Sequence, residues 1–146
     1  MYETIVVGTD GSPTARQAVT HAAQLAALCK ARLHVVHAYR PPQAMLVADV
    51  ATIAVPADVH QHAAETAQQI CADAAIEAKR LGATVEEHAV PSDAGDALIS
   101  VAEHVGADLL VVGNRGMSGV RRFVLGSVPN KVSHHSPCNL LIVDTC

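Results

Sequence analysis

Asp108-Leu-Leu-Val-Val112-Gly113-Asn114-Arg115-Gly116-Met-Ser-Gly-Val-Arg121-Arg122-Phe-Val-Leu-Gly126-Ser127 runs a short apolar, β-branched segment directly into a glycine-rich stretch. Leu109 to Val112 reads as a buried strand, so Gly113 and Gly116 fall where a strand ends and the backbone turns. Glycine lets main-chain N–H groups approach an anion with no Cβ in the way, and Ser127 is placed to cap a helix whose positive end points at the same spot. The segment therefore reads as a phosphate cradle at the carboxyl end of a strand.

Working outward, strands and helices alternate along the chain. Thr4 to Gly8 is a β-branched run, and Ser12-Pro13 opens an Ala-rich helix to about Lys30, with Ser12 as N-cap and Pro13 in its first turn. Arg32 to Tyr39 is a second strand, stopped by Pro41-Pro42. Gln43 to Pro56 is apolar but irregular and reads as a long loop with at most a helical turn, a candidate lid or partner surface. A helix from about Asp58 to Leu81 ends at Gly82, Ala83 to Val90 alternates as a strand, and Ser92 or Asp93 caps a helix through about His104. A helix from about Val128 to His135 and a last strand, Asn139 to Val143, complete the pattern. Five strands alternating with four helices predict a single α/β domain over residues 1–146, a doubly wound, Rossmann-like five-stranded parallel sheet with helices on both faces. In such sheets ligands bind outside the carboxyl ends of the strands where the strand order reverses. Gly8-Thr9-Asp10-Gly11-Ser12 and Gly113 to Gly116 both lie at such ends, and one cleft can use both if their strands pair.

Charge is unevenly spread. From Leu109 to Val143 there is no Asp or Glu, while Arg115, Arg121, Arg122 and Lys131 lie within that span; residues 1–108 carry six Lys/Arg against thirteen Asp/Glu. A basic, acid-free segment in an acidic chain of formal charge −4 suits a compact anion and argues against wrapping a nucleic-acid backbone. Tyr2, Tyr39 and Phe123 are the only large aromatics, so stacking platforms for single-stranded nucleic acid are scarce. No apolar stretch reaches membrane-spanning length, and no charged n-region precedes an h-region, so neither a membrane anchor nor a secretory leader is expected. Cys29, Cys71, Cys138 and Cys146 are scattered without zinc or disulfide spacing, as for free thiols in the cytoplasm.

Asp10, directly after the first strand, suits contact with a ribose or base edge or with a Mg²⁺ beside phosphates; its plainer role is that of an Asp-Gly turn residue. The nine histidines include His60-x-His62, His134-His135, and His34 with His37, but none shows i, i+4 pairing, a Cys partner or a recurring carboxylate, so they read as surface or helix-end residues. The P-loop pattern and the nucleophile elbow are both absent, Gly116-Met-Ser-Gly119 having the wrong spacing, and no nucleophile–base pair is evident. Binding is favoured over catalysis, with slow ATP hydrolysis the most that chemistry at the cradle would support.

The spacing Gly113-x2-Gly116-x9-Gly126-Ser127 resembles the nucleotide-binding signature of the universal stress protein family. The likeness extends over nearly the whole chain through Ile5-Val-Val-Gly-Thr-Asp-Gly-Ser12, Val35-Val-His-Ala38, Ala107-Asp-Leu-Leu-Val-Val-Gly113 and Leu125-Gly-Ser-Val128. The resemblance implies that the backbone around Val112, Gly113, Gly116, Gly126, Ser127 and Val128 holds the phosphates and ribose of an adenine nucleotide, and that Gly8, Thr9, Asp10 and Ala38 frame the base. Asn114-Arg115 departs from the hydroxyl residue followed by His or Arg that many members carry; Asn114 and Arg115 are then further candidates for phosphate contact. Some members with a similar Gly-Asn start and Leu-Gly-Ser-Val-Pro continuation bind cyclic AMP, so ATP, with or without Mg²⁺, is the ligand the resemblance implies first and cyclic AMP is the alternative. The resemblance also implies a homodimer. The last strand, at a sheet edge with an apolar face and no charged gatekeeper before Asp144, is the expected interface. Against these stand a weak ATPase and a nucleotide-free interaction module.

Overall fold

The structure is a computed structural model and describes residues 1–43, 45–47, 50–115 and 125–145. The elements run β1 (Thr4–Gly8), α1 (Pro13–Cys29), β2 (Arg32–Tyr39), β3 (Met45–Val47), β4 (Val50–Ile53), α2 (Ala57–Arg80), β5 (Thr84–Pro91), α3 (Ala94–Val105), β6 (Leu109–Gly113), α4 (Ser127–His135) and β7 (Asn139–Val143). Five strands form one parallel sheet in the order β5-β2-β1-β6-β7. The chain moves outward from β1 through β2 to β5, then returns to lay β6 on the other side of β1, so the strand order reverses between β1 and β6.

The continuous apolar strands follow from burial on both faces. Ile5, Val7, Leu33, Val35, Leu109 and Val111 point to the side of α1 and α2, while Val6, Val36, Leu110 and Val112 point to that of α3 and α4. On α1 the buried stripe is Ala15, Ala18, Val19, Ala22, Ala23 and Ala26, the three-and-four spacing of one helical face, built almost entirely of alanine. Ser12 caps that helix as expected, its Oγ accepting from Ala15 N at 3.1 Å, and Pro13 occupies its first turn. No helix among the described residues is long and apolar enough to cross a membrane.

Four local expectations need correction. The segment from Gln43 to Pro56, expected to be a loop with at most a helical turn, contains β3 and β4, paired antiparallel with Met45 opposite Ile53 and Val47 opposite Val50. Each strand is too short to reveal a period, and a shift in register between Met45 and Val47 breaks the alternation further. Ser127 does not cap α4; it is the first helical residue, and Gly126 stands at the N-cap. His34 is neither at the surface nor at a helix end but 3% exposed on β2, with Nδ1 2.9 Å from Nε2 of a half-buried His88 on β5, a neighbour 54 residues away in the chain. Asp93 takes the N-cap position of α3, yet its carboxylate is drawn to Lys131 Nζ of α4 at 3.1 Å rather than closing a cap bond.

Two side chains pin the β6 strand at its ends. At the amino end, Asp108 Oδ2 accepts from both Glu3 N and Thr4 N at 2.7 Å, fastening the start of β1 to that of β6. At the carboxyl end, Asn114 Nδ2 donates to Asp144 Oδ1 at 2.9 Å, and Asn114 Oδ1 accepts from Thr145 N at 3.1 Å and Thr145 Oγ1 at 2.8 Å. The Asn114 backbone donates to Val143 O at 2.9 Å and accepts from Gly126 N at 3.1 Å.

Both pins are testable in thermal unfolding. Asn114→Ala leaves the Thr145 amide and hydroxyl without this acceptor, with Thr145 only 5% exposed, and lowers stability by about 1–3 kcal/mol. The N–H groups of Thr4 and Glu3 hold the Asp108 carboxyl below its ordinary pKa. A depressed folded-state pKa contributes stability that is full above the unfolded value of about 4 and is lost as pH falls through the folded value. The gap in Tm between the parent and Asp108→Asn is therefore constant from neutral pH down to about pH 5 and closes below it; a gap that does not change with pH refutes the assignment.

Candidate functional site

The parallel pairing of β1 with β6, Ile5 to Leu109 and Val7 to Val111, brings the turns after the two strands side by side. The connections then diverge, β1 leading into α1 and β6 toward α4, and a cleft opens between them. On the wall are Gly8, Thr9, Asp10, Ala15, Val36, Ala38, Ala94, Leu98, Val112, Gly113, Arg115 and Gly126 through Pro129. Of the residues expected from sequence, Gly8, Thr9, Asp10, Ala38, Val112, Gly113, Arg115, Gly126, Ser127 and Val128 are thus brought together. Asn114 is not on this wall, its amide being spent on Asp144 and Thr145. Gly116, Arg121 and Arg122 lie outside the described residues.

The turn after β1 is held from β2. Thr9 N donates to Val36 O at 2.9 Å, and His37 Nδ1 donates to the Thr9 carbonyl at 2.8 Å. Within the turn, Gly11 N donates to Thr9 Oγ1 at 3.2 Å and Ser12 N to Asp10 Oδ1 at 2.9 Å, so Asp10 both closes an Asx turn and faces the cleft. Gly11 has φ +78, a conformation L side chains rarely adopt. Gly113 and Gly126 differ: neither has positive φ, and Gly126 sits at −59. A Cβ at Gly113 would come within 3.2 Å of Thr145 Cγ2, whereas at Gly126 it would make only ordinary contacts, the nearest at 3.5 Å. The fold itself does not need a glycine at 126. Its missing side chain leaves room at the start of α4.

Electrostatics favour an anion. The first turns of α1, α3 and α4 reach the cleft through Ala15, Ala94 and Ser127 to Pro129, so three positive helix ends converge there. In α4 no side chain caps the helix, and Pro129 lacks an N–H, leaving Ser127 and Val128 as the donors at its tip. Arg115 and Asp10 are the charged residues among those described on the wall. At the opposite wall β2 outruns β1, whose last paired residue is Gly8 opposite Val36. Ala38 repeats the backbone orientation of Val36 two residues on, so its N–H and C=O point to the side that β1 has vacated. That edge, flanked by Val36 and Leu98, is an apolar slot with one donor and one acceptor.

Sequence reasoning missed Ala15, Val36, Ala94, Leu98 and Pro129. Val36 shares a strand face with Ala38, and Ala94 opens a helix after a strand's carboxyl end, so both were within reach of the alternation argument. Leu98 becomes visible only once α3 is known to lie across β1 and β2, where its Cδ1 stands 3.0 Å from the place of a Gly8 Cβ.

The chain matches the universal stress protein family over residues 1–144. A universal stress protein of Mycobacterium tuberculosis strain H37Rv is 40% identical over 147 residues, covering 99% of this chain and 97% of the relative. Among solved structures, a universal stress protein in complex with cyclic AMP is 39% identical with a TM-score of 0.72, covering 99% of this chain and 98% of the other. A family member from Burkholderia pseudomallei is 26% identical with a TM-score of 0.72, at 97% and 96% coverage. With a doubly wound sheet, a cleft at its reversal point and relatives that match end to end, the chain belongs to the universal stress protein family.

Proposed function

We propose that the protein is a cytoplasmic stress-response protein that binds an adenine nucleotide in the β1/β6 cleft, cyclic AMP ahead of ATP, without robust catalysis. The observation that carries the reading is that first-turn residues of three helices and Arg115 line one cleft, beside an apolar slot edged by Ala38. The adenine would lie in that slot against Val36 and Leu98, reading the Ala38 N–H and C=O, while Gly113, Gly126, Ser127 and Val128 hold phosphate oxygens from the backbone. A single phosphodiester carries one negative charge, which the helix ends and Arg115 suffice to balance. The 39% identical protein solved with cyclic AMP supports the same choice. ATP is kept as the second ligand because Asp10 faces the cleft, where it could share a Mg²⁺ with a polyphosphate.

Calorimetric titration of nucleotide-stripped protein with cyclic AMP, ATP and Mg-ATP tests the reading. Tighter binding of cyclic AMP, indifferent to Mg²⁺, is the expected result. Preference for Mg-ATP reverses the order of ligands, and no binding of any of the three refutes the nucleotide assignment. Gly126→Val weakens cyclic AMP by at least about tenfold, or about 1.4 kcal/mol, in a protein that still folds. Unchanged affinity in that variant removes α4 from the phosphate site.

We further propose that the protein is a homodimer through β7, the sheet edge opposite β5, where Leu141 is 37% exposed. Leu141→Asp is expected to halve the mass measured by light scattering; a parent protein already monomeric at micromolar concentration refutes the interface.

A further inference from the structure

The opposite edge of the sheet holds a second constellation, remote from the cleft. β2 and β5 pair in parallel with His34 opposite Glu86 and Val36 opposite His88, so His34, Glu86 and His88 lie on one face, the face that packs against α3. His34 Nδ1 is 2.9 Å from His88 Nε2 and 3.7 Å from Glu86 Oε2, and one ligand atom from each residue falls within 4.8 Å of the others. His34 precedes Ala38 by four residues, about 13 Å along the strand, which separates this cluster from the nucleotide cleft.

We propose that His34, Glu86 and His88 form a binding site for a divalent late first-row transition metal ion, with Zn²⁺ as the representative. In a tetrahedral site with Zn–N bonds of about 2.0–2.1 Å, neighbouring ligand atoms stand about 3.3 Å apart. The observed separations of 2.9 and 3.7 Å bracket that value and all three ligand atoms lie within 4.8 Å of one another, so side-chain rotations that draw them together convert the His–His hydrogen bond into two metal bonds. Two imidazoles with one carboxylate favour zinc, cobalt, nickel or copper over magnesium or calcium, which prefer all-oxygen sites. The carboxylate is already oriented from outside: Arg32 Nε lies 3.5 Å from Glu86 Oε1, leaving Oε2 turned toward His34. Burial holds both imidazoles below their ordinary pKa, His34 also feeling His88 and Arg32, and His88 feeling His104 of α3, against the opposing pull of Glu86. Glu86 is half exposed, giving an ion a path from solvent and leaving the fourth position to water. A bound ion would cross-link β2 to β5, which among the described residues pairs in the sheet with β2 alone.

The test uses the full chain, freed of metal by chelation and then titrated with Zn²⁺ by calorimetry and with Co²⁺ by visible absorption. One equivalent of Zn²⁺ is expected to bind and, at about one hundred times Kd, to raise Tm by about 5–10 °C, while Co²⁺ gives the ligand-field bands of a tetrahedral or five-coordinate site. Glu86→Gln, at an exposed position that keeps the apo-protein folded, and His88→Gln each weaken binding by at least about tenfold. The double variant His60→Gln/His62→Gln, which removes an exposed His-x-His pair on α2, leaves binding unchanged. Absence of stoichiometric binding, binding that survives both Glu86→Gln and His88→Gln, or binding lost with His60 and His62 would each overturn the proposal.

Discussion

Everything in this molecule depends on β6 returning to pair with β1 instead of extending the sheet beyond β5. Ile5, Val6 and Val7 meet Leu109, Leu110 and Val111 across that join, and all six are essentially sealed from solvent. Because β1 leads to α1 on one face and β6 to α4 on the other, the carboxyl ends of these two strands border a cleft. The cleft is thus a product of topology. The side chains around it refine a space that the order of the strands has already made.

The alanine face of α1 serves the same end. Small residues at Ala18, Ala22 and Ala23 let the helix lie close on the sheet, so the first turn, with Ala15 on the cleft wall, comes up against the end of β6. Gly113 marks the closeness of that approach, since a Cβ there would stand 4.0 Å from Ala18 Cβ. On the other face, Lys131 bridges Asp93 and Asp96 at 3.1 and 2.7 Å, drawing the starts of α3 and α4 together around the opposite wall. Exposed ion pairs of this kind contribute little to stability. Their value here is positional.

Much of this could be read from the chain because the signals were local. In the main sheet β1, β6 and β7 are short apolar runs and β5 alternates, α1 opens on Ser-Pro, and α3 closes at Gly106, which adopts φ +63. The glycine spacing placed Gly113, Gly126 and Ser127 on the cleft wall. What could not be read depends on partners distant in sequence or on pieces too short to show a period. Asn114 belongs to the Asp144–Thr145 corner because β7 comes to lie beside β6, a fact that no window around residue 114 contains. His34 meets His88 only through the register of β2 with β5. In β3 and β4, three and four residues are too few for alternation to stand out from a loop.

The backbone bond from Gly126 N to Asn114 O has an architectural consequence. It ties the end of β6 to the start of α4, so the two stretches of cleft wall that hold Gly113 and Gly126 are fastened to one another by the main chain itself. Neither partner atom of that bond belongs to a side chain, so the distance between the two walls survives any change of side chain that leaves the backbone path in place.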